Sequence, residues 1–186
     1  IASSKVKITM SRIKINKEHC SLAFESPQNK SFKFGYYNYS PFSKDGCKLL
    51  GHKVPFEGRS PNAKDEVEIG YFDLITKKWQ KVSTTKAFNW QQGSMLQWKG
   101  PDHNDVMRDK YVAIIVDINS LEKNIIPKAI YGVSSEGNIA ITMNFERAIF
   151  TRAYSYAPIK TSYWNKRIHE EEKIYKVDLT TGKIKS

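Results

Sequence analysis

Apolar and polar positions along this chain alternate in short runs broken by turn residues, and two kinds of run recur. The first is a turn leading into a strand, Ser40-Pro41-Phe42-Ser43-Lys44-Asp45-Gly46-Cys47-Lys48-Leu49-Leu50, repeated as Val133-Ser134-Ser135-Glu136-Gly137-Asn138-Ile139-Ala140-Ile141. An acid followed by Gly supplies the positive φ that a tight hairpin turn demands, and the apolar residues behind it open the next strand. The second is a strand ending in Asp and an apolar residue, then a polar turn. It occurs at Ile69-Gly70-Tyr71-Phe72-Asp73-Leu74, at Ile114-Ile115-Val116-Asp117-Ile118 and at Ile174-Tyr175-Lys176-Val177-Asp178-Leu179. No stretch of useful length carries a 3.6-residue apolar period, so the pattern predicts strands throughout.

The three Asp residues lie 44 and 61 positions apart. The first interval matches the roughly 40–45 residues of a four-stranded propeller blade, and the second implies an insertion. The spacing predicts an all-β chain, a β-propeller segment of about three four-stranded blades: N-terminal strands in 1–34, blade one across 35–86, a shortened blade two across 93–127, and blade three across 129–186 with an insertion at 146–172. Three blades do not close a ring, which takes four to eight. The expectation is therefore an incomplete, N-terminal piece of a longer protein, with open sheet edges through which copies can self-associate.

At 186 residues, 40% hydrophobic and 26% charged, the chain is long and apolar enough for a core. Its net charge of +11 raises a nucleic-acid reading, but the excess sits at the two ends. Residues 1–34 hold seven Lys/Arg against two acids and residues 160–186 seven against four, while residues 35–159 hold sixteen against thirteen. A phosphate-binding surface calls for a dense basic stripe with interleaved aromatics, so nucleic acid is not the expected partner. No run reaches the roughly 20 apolar residues of a membrane span. The chain starts at Ile1, which leaves a removed leader, and localisation, open.

The two cysteines, Cys20 and Cys47, show no zinc spacing and are expected as buried thiols. His19, His52, His103 and His169 are scattered without ligand spacing, so neither a metal site nor a cofactor is expected. No G-x-S-x-G, H-E-x-x-H, phosphate loop or EF-hand loop occurs, and catalytic residues are not identified.

The most distinctive segment is Phe88-Asn89-Trp90-Gln91-Gln92-Gly93-Ser94-Met95-Leu96-Gln97-Trp98. With Tyr39-Ser40-Pro41-Phe42, Gly51-His52-Lys53, Ile130-Tyr131-Gly132 and Met143-Asn144-Phe145-Glu146-Arg147, it resembles a family of bacterial TolB-like or WD40-like β-propeller proteins that carry a W-N-W-Q-Q-G-x-x-L-Q-W signature. Phe88 stands where that signature has its first Trp. The resemblance implies the fold and no activity. The stretch after Gly100-Pro101-Asp102 is shorter than in the family, hence the expectation of a missing strand in blade two.

Asn89, Gln91, Gln92 and Gln97 form an amide cluster between Trp90 and Trp98. Amides bond sugar hydroxyls and aromatic faces cover apolar sugar faces, so Asn89, Trp90, Gln91 and Gln92 are candidate ligand-binding residues. The competing reading has the amides satisfying backbone groups between blades while the indoles fill the gap. Arg147 is a candidate for a carboxylate in the central channel or a partner for a nearby acid. His52 and Arg59 flank Val54-Pro55-Phe56-Glu57-Gly58 and complete the candidate set. Together these features point to a binding scaffold for carbohydrate, including acidic glycan. The alternative is a polysaccharide-processing propeller lyase or hydrolase whose remaining blades lie outside this chain.

Overall fold

The computed structural model describes residues 24–99, 103–108 (backbone alone), 111–145 and 172–186. Among them run twelve β-strands: β1 Ser31–Lys33, β2 Lys48–Val54, β3 Val67–Asp73, β4 Lys78–Thr85, β5 Gln97–Lys99, β6 His103–Arg108, β7 Val112–Asp117, β8 Lys123–Ile126, β9 Gly132–Val133, β10 Ile139–Thr142, β11 Tyr175–Asp178 and β12 Ile184–Lys185. They form three four-stranded sheets, β1-β2-β3-β4, β5-β6-β7-β8 and β9-β10-β11-β12. Each is an antiparallel meander in chain order. This is a three-blade segment of a β-propeller.

The sheets stack face to face, and the sequence of β7 explains how. Its run Val112-Ala113-Ile114-Ile115-Val116 is apolar at consecutive positions because both faces are buried. Ile114 and Val116 pack with Leu50, Ile69 and Val82 of the first sheet. Ala113 and Ile115 point the other way and pack with Ala140, Val177 and Leu179 of the third. The first sheet's other face carries Phe72, Phe32 and Trp79 in mutual ring contacts at 4.7–5.1 Å, with Phe24 closing over Phe72. Trp79 lies over Gly51 and Gly70, and at Gly70 a Cβ would stand only 2.9 Å from its ring, so a side chain there would collide with it.

The two recurrent sequence elements are one structure each. Gly46 donates to the Ser43 carbonyl and Gly137 to the Ser134 carbonyl, both at 2.9 Å, with both glycines at positive φ. After each later strand an Asp carboxylate accepts two backbone N–H groups: Asp73 from Ile75 and Thr76, Asp117 from Asn119 and Ser120, Asp178 from Thr180 and Thr181, all at 2.8–2.9 Å. These bonds hold the Asp73 and Asp178 carboxyls below the usual carboxylate range.

Three expectations need correction. The second sheet is not shortened, since β6 fills the segment thought too short for a strand. Its residues, His-Asn-Asp-Val-Met-Arg, lack the alternation that reveals a strand, and backbone pairing to β5 and β7 holds it instead. The first sheet begins at Ser31, ahead of the boundary at residue 35. Cys47 is half-buried at the first turn, its Sγ 3.6 Å from the Asp45 carbonyl. Residues 146–171 of the insertion expected at 146–172, with Arg147 among them, and Cys20 lie outside the described residues. No helix among the described residues is long and apolar enough to cross a membrane.

Candidate ligand-binding site at the end of the first sheet

Two connections leave the same end of the first sheet. The loop 55–66 joins β2 to β3, and the link 86–96 leads from β4 into the second sheet; the register Val67↔Thr85 and Lys53↔Glu68 places their starts side by side. The loop is braced by Asp65, whose carboxylate pairs with both terminal nitrogens of Arg59 at 2.6 and 2.8 Å and accepts the Asn62 N–H at 2.7 Å. This pairing, chiefly with Arg59, holds the Asp65 carboxyl at about 2. The Arg59 guanidinium also lies 4.3 Å from the centre of the Phe56 ring.

The link contains a tight turn in which Asn89 and Gly93 exchange backbone hydrogen bonds at 3.1 and 2.9 Å. Inside it Asn89 Oδ1 accepts the N–H groups of Gln91 and Gln92 at 3.0 and 2.7 Å, a pattern suited to the short side chain of Asn. Gly93 has φ +64°, and a Cβ there would stand 2.6 Å from His52 Cε1 and from the Phe34 carbonyl. Only glycine lets this turn press against His52.

The turn presents Trp90 half-buried at the surface. Its ring meets Phe88 and Phe56 edge-on at 5.4 and 5.6 Å, and its Nε1–H donates to the Arg59 carbonyl at 2.6 Å, tying link to loop. Lys33 Nζ lies 5.7 Å from the indole centre, and partial burial lowers the Lys33 pKa. Gln91 is exposed beside it. Phe56 further borders a cleft of about 660 Å³ on the first sheet, whose walls include Lys53, Glu66, Glu68 and Lys81. Glu68 is the hub of that wall, bonded by Lys53 at 3.0 Å and by Trp79 Nε1 at 3.3 Å.

Six of the seven candidate residues, His52, Arg59, Asn89, Trp90, Gln91 and Gln92, thus gather at one end of one sheet. They differ in what they can touch. Trp90, Gln91 and Arg59 reach solvent; Asn89 and Gln92 are buried. Gln97 is buried too, and its amide stitches the second sheet to the third through the Tyr131 carbonyl at 2.9 Å and the Val133 N–H at 3.2 Å. Trp98 Nε1 donates to the Pro41 carbonyl at 2.9 Å, tying the second sheet to the first.

His52 is 0% exposed. Its Nε2 lies 3.2 Å from the Ser94 N–H, which can only donate, so Nε2 is the unprotonated nitrogen. The Ser94 hydroxyl donates to the same nitrogen at 2.7 Å, and Nδ1–H donates to the Lys33 carbonyl at 3.0 Å. Burial pushes the His52 pKa down to about 4. A serine, a base and an orienting carbonyl are thus in line, the arrangement of an activated nucleophile. Ser94 is also 0% exposed, however, so no substrate reaches it and the pair is internal bracing.

Sequence reasoning missed Phe56, Phe88, Lys33 and Ser94. Phe88 was visible as the aromatic that opens the signature. Nothing local connects Ser94 to His52, which lies 42 residues earlier. Among the described residues no three His, Cys, Asp or Glu side chains assemble as a metal site, and both ring nitrogens of His52 are engaged.

No protein-family model and no curated protein matches the chain. Among solved structures, an oligogalacturonate lyase in complex with manganese aligns with TM-score 0.54 and 18% identity over 86% of this chain and 41% of its own. An oligogalacturonate lyase from Vibrio parahaemolyticus aligns with TM-score 0.55 and 16% identity over the same shares, 86% and 41%. The chain therefore spans about two fifths of the length of these lyases. At such identities the likeness shows the fold alone, and that fold is the β-propeller.

Proposed function

We propose that this chain is a propeller scaffold that binds an acidic oligosaccharide at the end of its first sheet. One observation carries the reading: Trp90, held rigid by Phe56, Phe88 and the Arg59 carbonyl, stands half-exposed with a free-standing amide, Gln91, at its side. A fixed indole covers the apolar face of a sugar at little entropic cost, an exposed amide bonds its hydroxyls, and the basic Lys33 and Arg59 favour an anion. Arg59 keeps its pairing with Asp65, so it contributes position and field rather than a vacant fork. The membership of the TolB-like or WD40-like group that the signature suggests fits the same reading.

The test is calorimetric titration with a galacturonic acid trimer and a neutral trisaccharide. Binding of the acid alone, weakened roughly tenfold by Gln91→Ala or Trp90→Phe in a folded variant, supports the proposal, since a single lost hydrogen bond to a charged ligand or a lost stacking face is worth about 1–2 kcal/mol. No heat with either sugar, or variants that bind like the parent, overturns it.

A second reading is a polysaccharide-processing enzyme, favoured by the likeness to two oligogalacturonate lyases. Ultraviolet absorbance of an unsaturated uronate, appearing when the trimer is incubated with the chain and a divalent cation, distinguishes it from binding alone.

A further inference from the structure

A cleft of about 740 Å³ lies where the three sheets converge, away from the end that carries Trp90. Each sheet contributes its first-strand region: Phe42 and Lys44 from the turn into β2, Gln97 and Trp98 from β5, and Ser134 to Glu136 from the turn after β9. The size suits a sugar of two or three rings.

Its walls are fixed from behind. Trp98 Nε1 is bound to the Pro41 carbonyl, the Tyr39 hydroxyl to the Tyr131 carbonyl, and the Gln97 amide uses both its ends between sheets. With these polar tips turned inward, the cleft offers ring surface, and Phe42 is 52% exposed within its lining. Two charges of opposite sign complete the lining. Lys44 forms no ion pair among the described residues, because the neighbouring Asp45 is taken by Ser43, the Cys47 N–H and Lys48. Glu136 accepts from the Ser135 hydroxyl at 2.7 Å, which keeps its carboxyl ionised below the usual range and leaves acceptor capacity free.

We infer that this cleft is a second subsite for a uronic acid unit, in which Lys44 takes the sugar carboxylate, Glu136 accepts sugar hydroxyls, and Phe42 and Trp98 cover the apolar face of the ring. A neutral sugar leaves Lys44 without a partner. An aliphatic or aromatic carboxylic acid leaves Glu136 without a donor facing it. A uronate answers both at once. The inference rests on the reading above for its class of sugar, but concerns different residues.

The test follows the Phe42 ring, the Lys44 ε-methylene and the Trp90 indole N–H by nuclear magnetic resonance while a galacturonic acid trimer, and then its methyl ester, is added to the chain. Saturable shifts at Phe42 and Lys44 with the acid, weakened roughly five- to tenfold with the ester and by Lys44→Ala, support the subsite, as loss of one charge-assisted hydrogen bond predicts. Shifts at Trp90 alone overturn the subsite and leave the first-sheet site standing. Shifts at Phe42 and Lys44 alone support the subsite and overturn the first-sheet location. Silence at all three overturns both. Lys44 and Phe42 are exposed, so Lys44→Ala and Phe42→Ala test binding without touching the core.

Discussion

His52 Nε2 accepts hydrogen bonds from both the hydroxyl and the backbone N–H of Ser94, at 2.7 and 3.2 Å, joining β2 of the first sheet to the link that leads into the second. The Nδ1–H bond to the Lys33 carbonyl fastens the same ring to β1. One buried imidazole therefore holds together the two segments from which Lys33 and Trp90 meet at the surface.

That ring makes stability depend on acid. The folded-state pKa of about 4 lies below the ordinary 6.5, so the unfolded chain binds a proton that the folded chain refuses between those values. The contribution is complete above pH 6.5 and is lost as pH falls through the window down to 4, by on the order of 3 kcal/mol at about 1.4 kcal/mol per pH unit. Urea unfolding at pH 7.0, 5.5 and 4.5 should show the midpoint falling over this range, and His52→Gln should flatten the slope. Carboxylates held below their usual range, among them Asp65 at about 2, add their loss only further into acid.

Ser94→Ala removes the hydroxyl donor but leaves the N–H. The expected cost is about 1–3 kcal/mol, the penalty of leaving a buried acceptor under-satisfied, with little change in fold. Chemical denaturation measures it. A neutral result would mean that the backbone bond alone satisfies His52.

Glycines of this chain should divide sharply. A Cβ at Gly70 would stand 2.0 Å from the Gln80 carbonyl oxygen and 2.9 Å from Trp79 Cζ2, so Gly70→Ala must push β3 and β4 apart. We expect a loss of roughly 3 kcal/mol or more, or no soluble folded protein. Gly46, at φ +72°, has open space around it. Gly46→Ala should cost only about 1–2 kcal/mol, the backbone strain alone, and Gly46→Asn less. Thermal melts of the pair measure the difference, and equal losses would count against the close packing of β3 on β4.

Val116 is 0% exposed in the strand that both neighbouring sheets cover. Val116→Ala should cost roughly 2–3 kcal/mol and loosen the stacking of first and second sheets, whereas Ile125→Ala, at a position 57% exposed in the outermost strand β8, should change stability by less than about 0.5 kcal/mol. Hydrogen exchange of β7 amides would show whether the loosening is local.

On the face of the third sheet turned from the second, Ile141 and Ile174 are 50% and 76% exposed among the described residues. Such residues favour association, so the double variant Ile141→Glu, Ile174→Glu should sediment at lower average mass than the parent at equal concentration, with little change in stability. A parent that is already monomeric at high concentration would count against self-association through this face.

The strand-and-turn repeats were legible because their physics is local. An Asp that caps its own turn, or a glycine that supplies positive φ, needs only its neighbours in sequence, so Asp73, Asp117, Asp178, Gly46 and Gly137 announce the blades. The apolar run of β7 likewise announces a strand, while its burial on both faces follows from the stacking of the sheets. The strand at 103–108 stayed hidden because backbone pairing holds it, and backbone bonds leave no trace in side-chain pattern. The amides of the signature looked alike in sequence; only the tertiary structure decided that Asn89 serves the turn, that Gln97 serves the junction between sheets, and that Gln91 is left to face solvent. It also decided that His52 and Ser94 are internal and that Phe42 and Lys44 share a cleft with Trp98, because burial and long-range contact are set by how three sheets stack and not by any residue's immediate neighbours.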